Sequence, residues 1–380
     1  MSFPERVVDV GDSSQLPEVV TALSPAKEVA IDVEADSMHH FKAKLCFVQL
    51  GTDADIFLMD TLKPGVSPKS LDSMFSDASV TKFFHAAGGD LQYLAEAGVR
   101  VKGLFDTHRA ATLLGWPKVG LADLVKEKLG QTLKKEHQQA DFSLRPLPPE
   151  LREYIADDVR YLCDVGRWVR EACGNAGVLE EVLLDCQRMC DDAAARPDAA
   201  DFTPKLPRNG LSKDQYTMAF FIARELHALR LQWAEKEDLP TGRVLSNMAL
   251  GELSTRFPND VKSLSKLAGV RGQIVREHGE EILGVISRVV ASVSSGELKH
   301  SEDRGTRDPK KKRREELLLE WRKKAAVERK VTPSVVLSNA LVEELATTAP
   351  ASPEALEQVP YFGQKRLALY GDVLLGLLSA

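Results

Sequence analysis

Short apolar runs of strand length alternate with amphipathic helical patterns over the first 200 residues or so. The segments EVAIDVEA, KLCFVQLGT and ADIFLMDT predict three strands, and the polar turn around Thr52–Asp53 indicates that the last two form a hairpin. VTKFFHAAGGDLQYLAEAG predicts a strand, a Gly-Gly break and a helix. GLADLVKEKLG and the long segment that begins at Pro148–Pro149 have helical periodicity. This order favours an α/β domain with a mixed sheet.

From about residue 211 the pattern is wholly helical, and it occurs twice. VLSNMALGELSTRFP begins at Val244 and VLSNALVEELATTAP begins 92 residues later at Val336. Each repeat opens with a Trp-containing helix and carries a glycine, Gly272 or Gly363, that we expect in a turn before a long amphipathic helix. DDAAARPDAADFTPKLPRNG and SSGELKHSEDRGTRDPKKKRR have no packed face and are typical of linkers. We therefore expect folded domains at 1–200, 211–292 and 312–380, with a linker at 293–311.

Composition narrows the class of protein. The 380 residues are 43% hydrophobic and 28% charged, which is typical of a soluble globular chain. The net charge of −6 argues against a uniformly basic nucleic-acid binder, although a local patch can still bind phosphates. Five cysteines without a CxxC pair indicate reduced core thiols and a cytoplasmic location. Neither a signal-peptide pattern nor an apolar run of membrane length is present, so we expect no membrane association.

Two carboxylates, Asp32 and Glu34, interrupt the first predicted strand. Residues i and i+2 of a strand point to the same face, so the two side chains project together. Neighbouring anions among apolar residues repel each other and lose solvation, and a cation such as Mg²⁺, which prefers oxygen ligands, would remove both costs. For this pair alone, two solvated acids at a strand end remain the simpler interpretation.

Two later segments add three candidate side chains. Asp90 lies in the first turn of the helix after the Gly-Gly break, where it could equally cap that helix. Tyr154 and Asp158 are four residues apart and share one helix face. Taken alone, Tyr154 is as well explained by a core aromatic residue.

The order Asp-x-Glu, Asp, Tyr-x-x-x-Asp resembles the DEDD exonuclease superfamily in its tyrosine subclass, and ribonuclease D is the family that it resembles most. The resemblance covers nearly the whole chain through IDVEAD, KFFHAAGGDLQYL, FDT and SLRPLPPELREYIADDVRYL, and both helical repeats resemble the HRDC domain. It implies a ribonuclease H-like mixed-sheet exonuclease domain followed by two small all-α HRDC-like domains. Val33 and Phe142 stand where the family often has Thr and Trp, and neither position is a ligand.

The resemblance implies a 3′–5′ exoribonuclease that releases 5′-mononucleotides by a two-metal mechanism. In that mechanism Asp32, Glu34, Asp90 and Asp158 hold two divalent ions, Mg²⁺ or Mn²⁺, and Tyr154 orients the attacking water. The family's substrates are RNAs with a 3′ tail, chiefly tRNA precursors. We expect a monomer with no obligate protein partner.

Other positions are weaker candidates for nucleic-acid contact. His85 could touch substrate or belong to the core, and Arg145 could bind phosphate or be a solvated surface residue. The basic stretch 304–329 could bind RNA, although its glutamates fit a solvated helix face equally well. Two other functions stay open: a DNA 3′–5′ exonuclease, and a non-catalytic nucleic-acid-binding protein.

Overall fold

The structure is a computed structural model that describes residues 3–133, 137, 139–195, 202–207, 210–299 and 308–379. Its six strands form one sheet in the order β1-β4-β3-β2-β5-β6. The strands are β1 (Arg6–Val10), β2 (Glu28–Ala35), β3 (Leu45–Gly51), β4 (Asp55–Asp60), β5 (Thr81–Phe84) and β6 (Leu104–Asp106). β3 runs antiparallel to β2 and β4, whereas the other pairings are parallel, so the predicted mixed sheet and hairpin are confirmed.

Helices cover the sheet and build its core. They are α1 (Leu16–Leu23), α2 (Asp72–Ser76), α3 (Asp90–Glu96), α4 (Thr107–Leu113), α5 (Leu121–Leu129), α6 (Pro149–Arg160), α7 (Leu162–Asn175) and α8 (Leu179–Ala194). Phe57, Phe83 and Phe105 from three different strands are fully buried between these layers. The helical segment after Pro148 is divided into α6 and α7 at Tyr161.

The two helical repeats have the same order of elements. Repeat 1 consists of α9 (Lys213–Glu237), α10 (Thr241–Val244), α11 (Asn247–Arg256), α12 (Val261–Leu264) and α13 (Gly272–Ser294). Repeat 2 consists of α14 (Pro309–Arg329), α15 (Pro333–Val336), α16 (Asn339–Thr348), α17 (Pro353–Glu357) and α18 (Gln364–Leu378). Equivalent arginines hold equivalent carbonyls: Arg230 donates to Leu245 at 3.1 Å, and Arg322 donates to Leu337 at 3.0 Å.

The turn before the last helix differs from the expectation in repeat 1, whereas Gly363 of repeat 2 lies in the predicted turn immediately before α18. Gly272 is not in the turn, because it is the first residue of α13. The left-handed residue of that turn is Gly269, with φ of 76°. Repeat 2 has Tyr361 with φ of 59° at the equivalent position, and Gly363 with φ of 85° follows it. The predicted glycine therefore has a positive φ in repeat 2 but not in repeat 1, where Gly269 has it instead.

The predicted linkers are only partly described. The first was expected from residue 191, but this start was wrong because α8 continues to Ala194; residues 196–201 and 208–209 lie outside the described part. In the second, α13 continues to Ser294 and α14 begins at Pro309, and residues 300–307 lie outside the described part.

The chain divides into two compact units. One contains the sheet domain and repeat 2, and the other contains repeat 1 with residues 36–44. Within the first unit, repeat 2 packs on α8: Arg329 pairs with buried Glu181 at 2.6 Å, and Tyr361 donates to Asp191 at 2.8 Å. None of the helices in the described part has the length and apolar character that crossing a membrane requires. All five cysteines are free thiols, four of them buried.

Candidate active site

The central strand β2 and helix α6 bring three carboxylates together. Gly51 on β3 lies against α6, where a Cβ atom would come within 2.9 Å of the Val159 carbonyl oxygen. This close approach seats α6 on the sheet and places Asp158 over β2. Carboxylate oxygens of Asp32, Glu34 and Asp158 consequently lie within 4.8 Å of one another.

Asp90 approaches from the turn between β5 and α3. The turn contains Ala86 with φ of 63°, and the buried Asp106 carboxylate accepts hydrogen bonds from the backbone N–H groups of Ala86 at 3.1 Å and Ala87 at 2.8 Å. Asp90 is the first residue of α3. It is not part of the group of three within 4.8 Å, but its charge contributes to raising the pKa of Glu34.

Asp32, Glu34 and Asp158 face an open cavity of about 430 Å³. Besides the three carboxylates, its lining includes Tyr154, His85, Val33, Gly120, Leu121, Ala122 and Leu133. The Tyr154 ring stacks on buried Phe142, with ring centroids 6.2 Å apart, and meets the ring of His137 edge-on at 5.8 Å. The cavity is therefore lined by three carboxylates, by mostly apolar residues and by one phenol.

Burial, and then repulsion between neighbouring charges, makes the carboxylates costly to ionise. Burial raises the pKa of Asp32 to about 7. Burial, and then repulsion by Asp32, Asp158 and Asp90, raises the pKa of Glu34 to about 10. The pKa values of Asp90 and Asp158 also lie well above the ordinary range, chiefly because of burial and then the charge of Asp32. Four ionised carboxylates would need a positive charge among them.

The described residues supply no such charge. No Lys, Arg or His of the described ranges pairs with any of the four carboxylates, whereas buried Glu181 has Arg329 at 2.6 Å and Lys365 at 3.6 Å. Oxygen-only donors at this spacing match the ligand preference of a hard divalent cation such as Mg²⁺ or Mn²⁺. The residues present therefore fit the cofactor that the sequence predicts.

Comparisons with known proteins agree with this geometry. Residues 7–167 match the family model for a 3′-5′ exonuclease, and residues 221–286 and 311–378 match the HRDC domain. A ribonuclease D of Gluconacetobacter diazotrophicus is 30% identical over 383 residues, which cover 99% of this chain and 95% of that protein. The chain belongs to the ribonuclease D family.

Further relatives support the same assignment. A ribonuclease D of Acidiphilium cryptum is 29% identical over 76% of this chain and 74% of its own length. The crystal structure of Escherichia coli RNase D, an exoribonuclease involved in structured RNA processing, has the same fold, with a TM-score of 0.69, 22% identity and coverage of 98% of this chain and 99% of that one. Membership in the ribonuclease D family makes the chain a 3′–5′ exoribonuclease, and the family depends on divalent metal ions.

Tyr154, which lines the cavity, is suited to hold a proton. Burial, followed by the charges of Asp158, Glu34 and Asp32, raises the pKa of Tyr154 above its ordinary value. The phenol therefore stays protonated at neutral pH and can donate a hydrogen bond. It is a poor general base under these conditions.

The two weaker candidates have different surroundings. His85 lines the cavity. Arg145 does not: its guanidinium contacts Asp60 through two bonds of 2.6 Å, donates to the Phe142 carbonyl at 2.7 Å and lies 4.3 Å from the centre of the Phe47 ring. The phosphate-binding role of Arg145 stays a prediction, and these contacts favour a role in holding Phe142 beneath Tyr154.

Sequence reasoning assigned no role to two residues around this site. Asp106 holds the turn before Asp90, and its signal was the acidic residue at the end of a short apolar run, LFD. Gln49 lies directly opposite Asp32 in the β2–β3 ladder, is fully buried, and has no hydrogen-bond partner for its amide among the described residues. Its signal was a polar residue inside the predicted strand KLCFVQLGT.

A second acidic group lies in repeat 1. Glu237, Glu277 and His278 have potential ligand atoms within 4.8 Å of one another, but both glutamates are exposed. The ring of His278 stacks on Trp233 with a centroid distance of 3.9 Å. Exposed acids of this kind are solvated without a cation, so this group serves as a comparison for the buried one.

Proposed function

We propose that this ribonuclease D family member trims the 3′ ends of structured RNAs, chiefly tRNA precursors, and releases one 5′-mononucleotide per step. The observation that carries the proposal is the half-buried cluster of Asp32, Glu34 and Asp158 beside an open cavity, without a pairing cation from the described residues. A relative that processes structured RNA in Escherichia coli supports the substrate class.

Two divalent ions, Mg²⁺ or Mn²⁺, would be held by Asp32, Glu34, Asp90 and Asp158. Bound there, they would neutralise charge that grows on the phosphate and make water a competent nucleophile at neutral pH. The raised pKa values of Asp32 and Glu34 mean that binding of the ions must displace protons from the site.

The remaining side chains position the reactants. The protonated Tyr154 hydroxyl would orient the attacking water through a hydrogen bond, and its ring is held in place by Phe142. The apolar lining, which includes Leu121 and Leu133, can contact any nucleobase without reading its hydrogen-bonding edge. Low base specificity is expected from such a wall.

The basic residues of α14 give little support to capture of the RNA body by repeat 2. Many cations of α14 are already paired, as Lys324 is with Glu320 at 2.9 Å and Lys312 with Glu316 at 3.8 Å. This pairing favours a solvated helix face over a dedicated phosphate-binding patch. Residues 304–307 of the basic stretch lie outside the described part. We also propose a cytoplasmic monomer without an obligate protein partner.

Product analysis on a tRNA with extra 3′ nucleotides tests the proposal. With Mg²⁺ or Mn²⁺ we expect stepwise shortening and 5′-mononucleotides, and with EDTA we expect no reaction. Internal fragments would contradict 3′–5′ action, and RNA binding without hydrolysis in Mn²⁺ would establish the non-catalytic alternative. Faster digestion of a DNA strand with the same sequence would establish the DNA exonuclease alternative.

A further inference from the structure

The hydrogen bonds behind His85 fix which of its ring nitrogens carries the proton. The Thr107 hydroxyl donates its single proton to the Phe84 carbonyl at 2.9 Å. The same hydroxyl oxygen lies 2.9 Å from Nδ1 of His85. Since the hydroxyl proton is already used, Nδ1 must be the donor of this second bond and must carry the hydrogen.

The other ring nitrogen is consequently an acceptor. Burial, aided by the neighbouring His108 and opposed by Asp106, lowers the pKa of His85 to about 4. At neutral pH the ring therefore has one proton, on Nδ1, and a lone pair on Nε2. Nε2 of His85 has no hydrogen-bond partner among the described residues, and His85 lines the cavity that contains the carboxylates.

A fixed acceptor in this cavity selects for a donor on the substrate. The groups of a 3′-terminal nucleotide that donate hydrogen bonds are its sugar hydroxyls and the amino or imino N–H groups of its base, whose positions differ from one base to another. An exonuclease with low base specificity gains little from a contact that only some bases can make. The 2′-hydroxyl is present in every ribonucleotide and is the group that distinguishes RNA from DNA.

We propose that Nε2 of His85 accepts a hydrogen bond from the 2′-hydroxyl of the 3′-terminal ribose and so makes the site selective for RNA. Thr107 is the positioning residue, because it sets the tautomer without touching the substrate. This inference rests on the proposed exonuclease function and assigns the selectivity of the same site to one atom.

The test compares kcat/KM on three otherwise identical RNA oligonucleotides. One ends in a ribonucleotide, one in a 2′-deoxynucleotide and one in a 3′-deoxynucleotide. For the wild type we expect the ribonucleotide end to be favoured over the 2′-deoxy end by about tenfold, the worth of one hydrogen bond. In His85→Phe, which keeps an aromatic ring but has no acceptor, we expect this ratio to fall to about one.

Two further variants separate the contact from packing. Thr107→Val removes the acceptor that holds the proton on Nδ1, so the ratio should fall in the same direction but less. His108→Phe keeps the edge-on ring, whose centroid lies 5.4 Å from that of His85, and should retain the wild-type ratio. Thermal unfolding checks that each variant is folded. If His85→Phe does not fold, the ratio measured for Thr107→Val decides the test.

The outcomes are distinguishable. A ratio of about one in the wild type, an unchanged ratio in both His85→Phe and Thr107→Val, or sensitivity to the 3′-deoxy end alone would overturn the assignment of His85 while leaving the exonuclease function intact. Failure of the wild type to shorten any of the three oligonucleotides in Mn²⁺ would overturn the proposed function and, with it, this inference.

Discussion

Two groups of carboxylates in the same compact unit have opposite surroundings: one is almost fully buried and paired, and the other is half-buried and unpaired among the described residues. Glu181 and Asp185 on α8 are almost fully buried, and each is paired with cationic side chains: Glu181 with Arg329 and Lys365, and Asp185 with Arg109. The group at β2 and α6 contains three carboxylates within 4.8 Å and no pairing cation from the described residues.

We propose that the difference separates acids with a structural role from acids with a catalytic role. Burying an ionised carboxylate without compensation costs several kcal/mol, so a stable fold supplies an arginine or lysine where the charge is permanent. At β2 we propose that an exchangeable divalent cation supplies the compensation. A cluster of acids is therefore informative when it is buried and unpaired, and much less so when it is exposed, as Glu237 and Glu277 are.

We expect the largest effect from a change in the carboxylate group of β2 and α6. We expect Asp158→Asn to lower kcat by about 1,000-fold or more, because a proposed ligand of the metal ions is lost. The matched control is Glu277→Gln in the exposed group of repeat 1, which should keep wild-type kcat. The measurement is mononucleotide release from a short RNA in Mg²⁺. More than a few per cent of residual activity in Asp158→Asn would remove this residue from the ligand set.

A change at the paired carboxylates of α8 should lower the stability of the fold and leave the activity unchanged. Arg329→Met leaves Glu181 buried with only the longer 3.6 Å contact to Lys365. We expect a loss of about 3 kcal/mol in the free energy of unfolding, measured by urea denaturation, with kcat on short RNA unchanged. Lys324→Met, which removes an exposed pair with Glu320, is the control and should leave the free energy of unfolding nearly unchanged. Similar losses in both variants would contradict the role of burial.

A change at Tyr154 tests whether hydrolysis needs a side chain besides the four carboxylates. Because Tyr154→Phe keeps the ring that stacks on Phe142 and removes only the hydroxyl, we expect kcat to fall about tenfold to a hundredfold while KM changes little. Steady-state kinetics on a short RNA measures both constants. If kcat is unchanged, another group orients the water.

The smallest expected effect is a pH dependence of metal-free stability. The pKa of Asp32 is raised to about 7 in the folded protein, so its contribution is complete below about pH 4 and is lost as pH rises towards 7. In EDTA, the melting temperature of the wild type should therefore fall relative to Asp32→Asn across this range by a few degrees. Mg²⁺ should restore the wild type alone. Parallel curves for the two proteins in EDTA would contradict the raised pKa.

The sequence predicted the strands that local features define, and it missed the strands that are defined by contacts between distant parts of the chain. β2, β3 and β4 were predicted because each is a complete apolar segment and two of them are joined by a short turn. β1 and β6 were not predicted. They are short, and they are defined by parallel pairing with β4 and β5, which lie far away along the chain or across an intervening helix. The repeat was visible as an offset, yet Gly269 rather than Gly272 has the left-handed backbone.

For the site, the sequence by itself determined the shared face of Asp32 and Glu34 and the shared face of Tyr154 and Asp158, because strand and helix periodicity fix side-chain direction locally. Only the tertiary structure decided that α6 closes on β2 through Gly51, that Arg145 is occupied by Asp60, and that His85 has its proton on Nδ1. The physical reason is that partners, burial and protonation depend on which distant segments meet, and local periodicity contains no information about that.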